Sequence, residues 1–329
     1  RLTWCWSDDM ASQTERRWLQ AAWSLQGEAL AQWGERVGVA LRWSLAPGQL
    51  VLDVSGPSSL LPAFLRELLT QLQAPPSLCQ LPLIERRSRR WLQQEHDALP
   101  AWRLLQTLEQ ERTVSALRLR DPQALWQRLC SQAQVIWLKP EGWPEAERAR
   151  LAKLLINLCP QLMQPFAWRC PLPQLQRGQL QVSEVSSKHT DRAQLLYLPA
   201  QDDSLLEAAC WRLLHHRLAD PFFAELRTRQ QLGYWVVARL HRRAGRPGLL
   251  LLVQSPDQSH RRIESAVDDF LATSVQELSA LPAEQLQAQA SHLSQLLEQQ
   301  RQHPQHGFEA RWEDCVWQRE DQLAAEQQA

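Results

Sequence analysis

The chain has 329 residues, enough for two domains, and at 44% apolar and 22% charged it can bury ordinary cores. Its 36 basic and 36 acidic residues cancel, so no global charge argues for a nucleic-acid partner. The longest apolar run, Leu249–Val253, is far too short to cross a membrane, and no signal peptide is visible.

From the first residue, "RLTWCW" reads as a strand already under way. Residues 15–32 carry Trp18, Ala22, Leu25 and Leu30 near helical spacing. "VGVALRWSLAPGQLVLDVSG" (37–56) is a strand, a Pro-Gly turn and a second strand. An amphipathic helix over 57–73 follows, with Ser58 or Ser59 near its start. The pattern then predicts helices at 84–96 and 100–111, a strand at 114–119, a helix at 121–132, a strand at 134–139 and a helix at 144–158. After the Pro- and Gln-rich stretch 170–192, a strand at 193–199 precedes helices at 203–218 and 221–230. A hairpin over 232–256 and helices at 258–278 and 283–302 complete the series.

The order helix, strand, hairpin turn, strand, helix, helix occurs twice, with Val37-Gly38-Val39 opposite Leu232-Gly233-Tyr234. A spacing of about 200 residues is too long for a solenoid. It predicts an α+β fold of two homologous domains, each an antiparallel sheet covered by helices, over 1–175 and 176–329. Residue 329 of the second copy corresponds to about residue 130 of the first, so the second domain is expected to be truncated at its C-terminus.

Seven cysteines, none closer than 11 residues apart, predict neither a disulfide framework nor a cysteine zinc site; buried reduced thiols are expected. No HExxH or HxxEH occurs. In "LQQEH" (92–96) Leu92 stands where the first ligand would be, which leaves too few donors for a catalytic zinc. The rings of His215 and His216 diverge on a helix, and His303 and His306 flank Pro304 in a polar stretch. The basic clusters "ERRSRR" (85–90) and "HRR" (241–243) read as a solvated helix start and a hairpin tip.

The junction "DPFFAELRTRQQLGYWV" (220–236) differs from the rest. A helix runs straight into a strand there, and Arg227, Gln231, Gly233 and Tyr234 cluster at the join. A guanidinium fork and a phenolic hydroxyl at one sheet edge could hold a peptide carbonyl or a developing oxyanion. The residue types alone equally allow an arginine paired with a nearby glutamate and a tyrosine ring in the core.

The phrase Leu-Arg-Thr-x-x-Gln-Leu-Gly-Tyr, met here at Leu226, Arg227, Thr228, Gln231, Leu232, Gly233 and Tyr234, resembles the fourth domain of the M16 metallopeptidases, the family of insulysin and pitrilysin. "WCWSDDM" (4–10) and "GVALRWSLAPGQLVLDVSG" (38–56) are similar, more weakly, to the third domain. The resemblance implies the C-terminal half of a four-domain enzyme whose two bowl-shaped halves enclose a chamber. Zinc and the catalytic base would then belong to a separate N-terminal half, in the same or another chain. This segment would hold no metal and no catalytic residue. It also implies that Arg227 and Tyr234 bind peptide substrate near the scissile bond. In the first copy the counterpart of Tyr234 is Val39, and Gln32 stands seven residues earlier, so only the second copy carries the pair. General likeness, rather than a motif, suggests the branch that trims the precursor peptide of pyrroloquinoline quinone. The alternatives are pitrilysin-like general peptide degradation and a non-catalytic partner or interaction subunit. The partners expected are the catalytic half and a peptide, with no nucleic acid and no membrane. The compartment expected is the cytoplasm, with the periplasm as the alternative.

Overall fold

The computed structural model describes residues 1–6, 11–46, 48–109, 121–137, 142–160, 179–202, 204–243 and 246–302. The strand expected at 114–119, the pair His303 and His306, and Cys170 and Cys315 lie outside them. The chain forms two compact units, residues 1–94 with 112–170 and residues 95–111 with 171–329. The segment 95–111, which falls in the first domain by sequence order, is part of the second unit.

In the first unit, β1 (Leu2–Cys5) lies between β3 (Gln49–Ser55) and β4 (Gln134–Trp137), and β2 (Ala40–Ala46) pairs with the far side of β3. All pairings are antiparallel. The helices are α1 (Gln13–Gln26), α2 (Glu28–Arg36), α3 (Leu61–Leu72), α4 (Leu81–His96), α6 (Pro122–Gln132) and α7 (Glu145–Leu158), with α5 (Pro100–Glu109) in the second unit. The helix expected over 15–32 is broken at Gly27, which ends α1 and begins α2. Ser12 and Glu15 form a reciprocal capping box at the start of α1. Neither Ser58 nor Ser59 caps α3: residues 58–60 form a turn, and the helix begins at Leu61 without a side-chain cap. Apolar residues of the sheet and helices meet in one core. At its centre Trp4, Trp23 and Trp43 lie with ring centroids 4.7 to 5.9 Å apart. The Trp6 indole donates to the Leu129 carbonyl at 2.8 Å, so this buried ring keeps a polar partner.

In the second unit, β7 (Arg246–Ser255) lies between β5 (Arg192–Pro199) and β6 (Trp235–Arg243), again antiparallel. The expected repeat is visible in strand order: β2-β3-β1 in the first sheet corresponds to β6-β7-β5 in the second. Among the described residues β4 has no counterpart in the second unit. The two glycines set opposite each other serve different needs. Gly38 takes a φ of +78°, whereas Gly233 is required by space: a β-carbon there would lie 2.2 Å from the Gln254 carbonyl oxygen.

Strand β7 is buried from Pro247 to Ser255, and its side chains alternate between two cores. Leu249, Leu251 and Val253 pack with α8 (Leu205–Phe223) and α9 (His260–Ser279) through Leu218, Phe222, Ile263 and Phe270. Leu250 and Leu252 point the other way and meet Ala101 and Leu105 of α5. Both sheet faces therefore carry helices, and the hydrophobic run of β7 follows from that. Leu251→Ala should lower stability by about 2–5 kcal/mol, read as a shift of the urea midpoint, because it opens a cavity among fixed neighbours.

Of the described cysteines, Cys5, Cys130 and Cys159 are buried as expected, while Cys79 and Cys210 are exposed. Burial pushes the Cys5 thiol up to about 12. No described helix is long and apolar enough to cross a membrane.

Candidate functional site

Two helices were expected over 203–230. The structure has one, α8, which runs through Pro221 and passes directly into a π-helical turn at Ala224–Arg229. Ser204 caps its start by accepting from the Glu207 amide. Pro221, three residues before the turn, lacks the amide that would bond one turn back, so the helix runs on past it with one bond fewer. The wider i to i+5 spacing closes with the Gln230 amide donating to the Glu225 carbonyl at 2.9 Å. Side chains hold the turn too: the Gln230 amide donates to the Glu225 carboxylate at 2.6 Å, Arg229 pairs with Glu225, and Arg262 donates to Gln230 at 2.9 Å. Donation from Gln230 and Arg229 keeps the Glu225 carboxyl below its usual range. Gln231 then takes a φ of +51°, and Leu232 turns back into the core with its amide bonded to the Leu226 carbonyl at 2.9 Å.

This hard turn puts Arg227 and Tyr234 on the same corner. Arg227 is exposed and donates to the Gly233 carbonyl at 2.5 Å, one residue before Tyr234. The Tyr234 amide donates to the Gln254 carbonyl at 3.1 Å, which begins the β6–β7 ladder. Tyr234 is 44% exposed, so it is not a core residue. Arg227 pairs with a backbone carbonyl rather than with Glu225, whose partners are Gln230 and Arg229. The structure thus brings together the four residues singled out in the sequence: Arg227 on the π turn, Gln231 at the strained bend, Gly233 under the backbone of β7, and Tyr234 at the strand start.

Three groups at this corner escaped the sequence reading. The Tyr234 hydroxyl donates to the Asp191 carboxylate at 2.5 Å, just ahead of β5. The fully buried Gln254 amide donates to the same carboxylate oxygen at 3.1 Å and to the Tyr234 hydroxyl. Its carbonyl accepts from the Ala101 amide in the first turn of α5 at 3.0 Å. Donation from Tyr234 and then Gln254 holds Asp191 below the usual carboxylate range. Partial burial and the Asp191 carboxylate together raise the Tyr234 phenol, which stays protonated at neutral pH. Only the placement of a Gln at the end of an otherwise apolar strand could have marked Gln254, and Asp191 lies 43 residues from Tyr234 in sequence.

Elsewhere the candidates dissolve into structure. His215 is lowered by burial, and His216 lies against His292 at 5.8 Å. "ERRSRR" is helical surface in α4, where Arg87 pairs with Glu28 at 2.9 Å and Arg89 with Glu85 at 3.2 Å. "HRR" ends β6; burial and then Arg239 and Arg243 push His241 down to about 4. Among the described residues no three His, Cys, Asp or Glu side chains gather as a metal site, so they offer no donor set that fits a catalytic zinc.

Comparison with known proteins shows what the segment around this corner is similar to. Residues 213–312 match the family described as PQQ synthase PqqF-like, C-terminal lobe domain 4. The coenzyme PQQ synthesis protein F of Pseudomonas syringae pv. tomato is 40% identical over 100 residues, 30% of this chain and 13% of that protein. The protein of the same name from Klebsiella pneumoniae is 41% identical over 81 residues, 25% of this chain and 10% of that one. The aligned segments thus span only a small part of these relatives. In fold, pitrilysin superposes over 99% of this chain and 37% of its own, with a TM-score of 0.69 at 18% identity. A peptidase M16 inactive domain from Pseudomonas fluorescens superposes over all of this chain and 86% of its own, with a TM-score of 0.62 at 11% identity. In sequence over residues 213–312, and in fold over its whole length, the chain is similar to the C-terminal half of the M16 metallopeptidases, with a PqqF-like fourth domain.

Proposed function

We propose that the chain is the C-terminal half of an M16-type zinc metalloendopeptidase that matures the precursor peptide of pyrroloquinoline quinone. It closes the cleavage chamber and contacts the peptide through Arg227 and Tyr234. The observation that carries this reading is the corner itself: an exposed guanidinium and a half-exposed phenol set at one sheet edge by a π turn, a strained Gln231 and a close-packed Gly233, inside the segment that matches the PqqF-like domain. Such effort at one turn is unusual for a merely packed corner.

The chemistry assigned to these residues is positioning and electrostatic. Attack on a peptide carbonyl builds negative charge on its oxygen. A hydroxyl on a rigid ring and a planar guanidinium can donate to that oxygen, or to a neighbouring carbonyl, without reorganising. The zinc and the base that activate water come from the catalytic N-terminal half, in the same chain or a partner. Zinc, when bound there, polarises the carbonyl and lowers the pKa of its water.

Two outcomes test this reading. The purified 329-residue chain should carry no stoichiometric zinc and leave peptides uncut. Metal analysis together with a chelator-sensitive peptidase assay checks both; zinc-dependent cleavage by this chain alone contradicts the assignment. The complete enzyme should cut the quinone precursor peptide faster than unrelated peptides of the same length. Equal rates favour pitrilysin-like general degradation, and no cleavage in any assembly favours a non-catalytic interaction subunit.

A further inference from the structure

The hydrogen bonds around Gln254 can be followed in order, and they fix where the phenolic proton of Tyr234 points. The Ala101 amide is a pure donor in the first turn of α5, a position with no partner inside its own helix. Whatever bonds to it must accept, so the Gln254 side-chain oxygen faces Ala101 and its NH2 group faces the other way. That group donates to the Tyr234 oxygen and to Asp191. The Tyr234 oxygen is thereby an acceptor toward Gln254, and its single proton goes to the Asp191 carboxylate at 2.5 Å. Gln254 is fully buried and cannot turn without leaving Ala101 unpaired.

From this order we infer that Asp191 and Gln254 are positioning residues for Tyr234. Gln254 fixes the oxygen, and Asp191 occupies the proton that a substrate carbonyl needs. The inference rests on the substrate-contact reading of Tyr234. A hydroxyl has one proton to give, so a peptide carbonyl must take it from Asp191 as the peptide docks. A carboxylate is a stronger acceptor than a neutral amide oxygen, so the competition costs substrate affinity.

Replacing the carboxylate by an amide, Asp191→Asn, keeps the shape and weakens the competing acceptor. In the complete enzyme kcat/KM for a peptide substrate should rise about 3- to 10-fold, mainly through KM. In a Tyr234→Phe background the same change should have no effect, since the contested proton is gone. Asp191 is partly exposed, and the amide oxygen of Asn can still accept from Tyr234 and Gln254, so the variant should fold; a melting curve confirms it. A second readout needs no activity. The chain has two tyrosines, and burial pushes Tyr197 up to about 12, whereas Tyr234 owes part of its rise to Asp191. The tyrosinate absorbance of the 329-residue chain should therefore show its earlier step move to lower pH in Asp191→Asn, with the later step unmoved.

A rise in the Tyr234 enzyme that vanishes in Tyr234→Phe, with the earlier step shifted, supports the inference. An unchanged or lower kcat/KM in Asp191→Asn, an equal rise in both backgrounds, or an unmoved titration step overturns it while leaving the role of Tyr234 standing. Full activity in Tyr234→Phe removes the substrate-contact reading, and this inference with it.

Discussion

In the complete enzyme, Tyr234→Phe should cut kcat/KM by about 10- to 1000-fold, the range for deleting one donor aimed at a developing oxyanion. The same change should hardly touch stability. The ring stays, and the 44% exposure of Tyr234 shows that it packs only in part; the bonds lost are the one from its hydroxyl to a carboxylate near solvent and the one its oxygen accepts from Gln254. Asp191 keeps its bond from Gln254. A loss of about 1 kcal/mol at most is expected, a few degrees of melting temperature in a unit of this size. Arg227→Lys should behave similarly, because it keeps the charge but loses the fork that can reach the Gly233 carbonyl and a ligand together. Zinc content should be unchanged in both. Melting temperature, metal content and kinetics on the same two variants separate a substrate contact from a packed corner, which predicts lower stability and near-normal kinetics.

Gly233→Ala should do the opposite and strike the fold first. Its new methyl group would sit 2.2 Å from the Gln254 carbonyl oxygen and 2.9 Å from the carbonyl carbon. Neither can give way cheaply: the oxygen belongs to the backbone of the central strand and accepts from the Tyr234 amide. The start of β6 must move off β7, which breaks that bond and shifts the Gly233 carbonyl away from Arg227. Overpacking against backbone costs about 3 kcal/mol or somewhat more, about 6–12 °C in melting temperature for a unit of this size. Cleavage should fall with it. A variant that melts as the parent does would show that the strands part without cost and that the corner is not rigid.

The contrast between these two variants restates what the sequence could tell. Hairpins and long helices were legible because period-2 and period-3.6 patterns are local, and the repeat followed from their order. The strand order β2-β3-β1 against β6-β7-β5 carries the same repeat in three dimensions. The partner of α5 was not legible. Ala101, Trp102 and Leu105 make an apolar stripe that would suit any sheet face, and chain order set it in the first domain. In the structure it joins the second unit, with Trp102 edge-on to Trp235 at 5.2 Å and Ala101 bonded to Gln254. The continuous run through Pro221 was hidden because a proline reads as a helix start as readily as a late interruption. Arg227 and Tyr234 stood out through a resemblance, whereas Asp191 and Gln254 had only geometry to reveal them.

The measurement that bears most directly on the central claim is a structure of the complete enzyme, freed of zinc, with an uncut precursor peptide bound. The account predicts the Tyr234 hydroxyl or the Arg227 guanidinium within about 3 Å of a peptide carbonyl oxygen next to the scissile bond, with the Tyr234 proton withdrawn from Asp191. A peptide held for cleavage while Tyr234 stays bonded to Asp191 and Arg227 touches only the Gly233 carbonyl would contradict it.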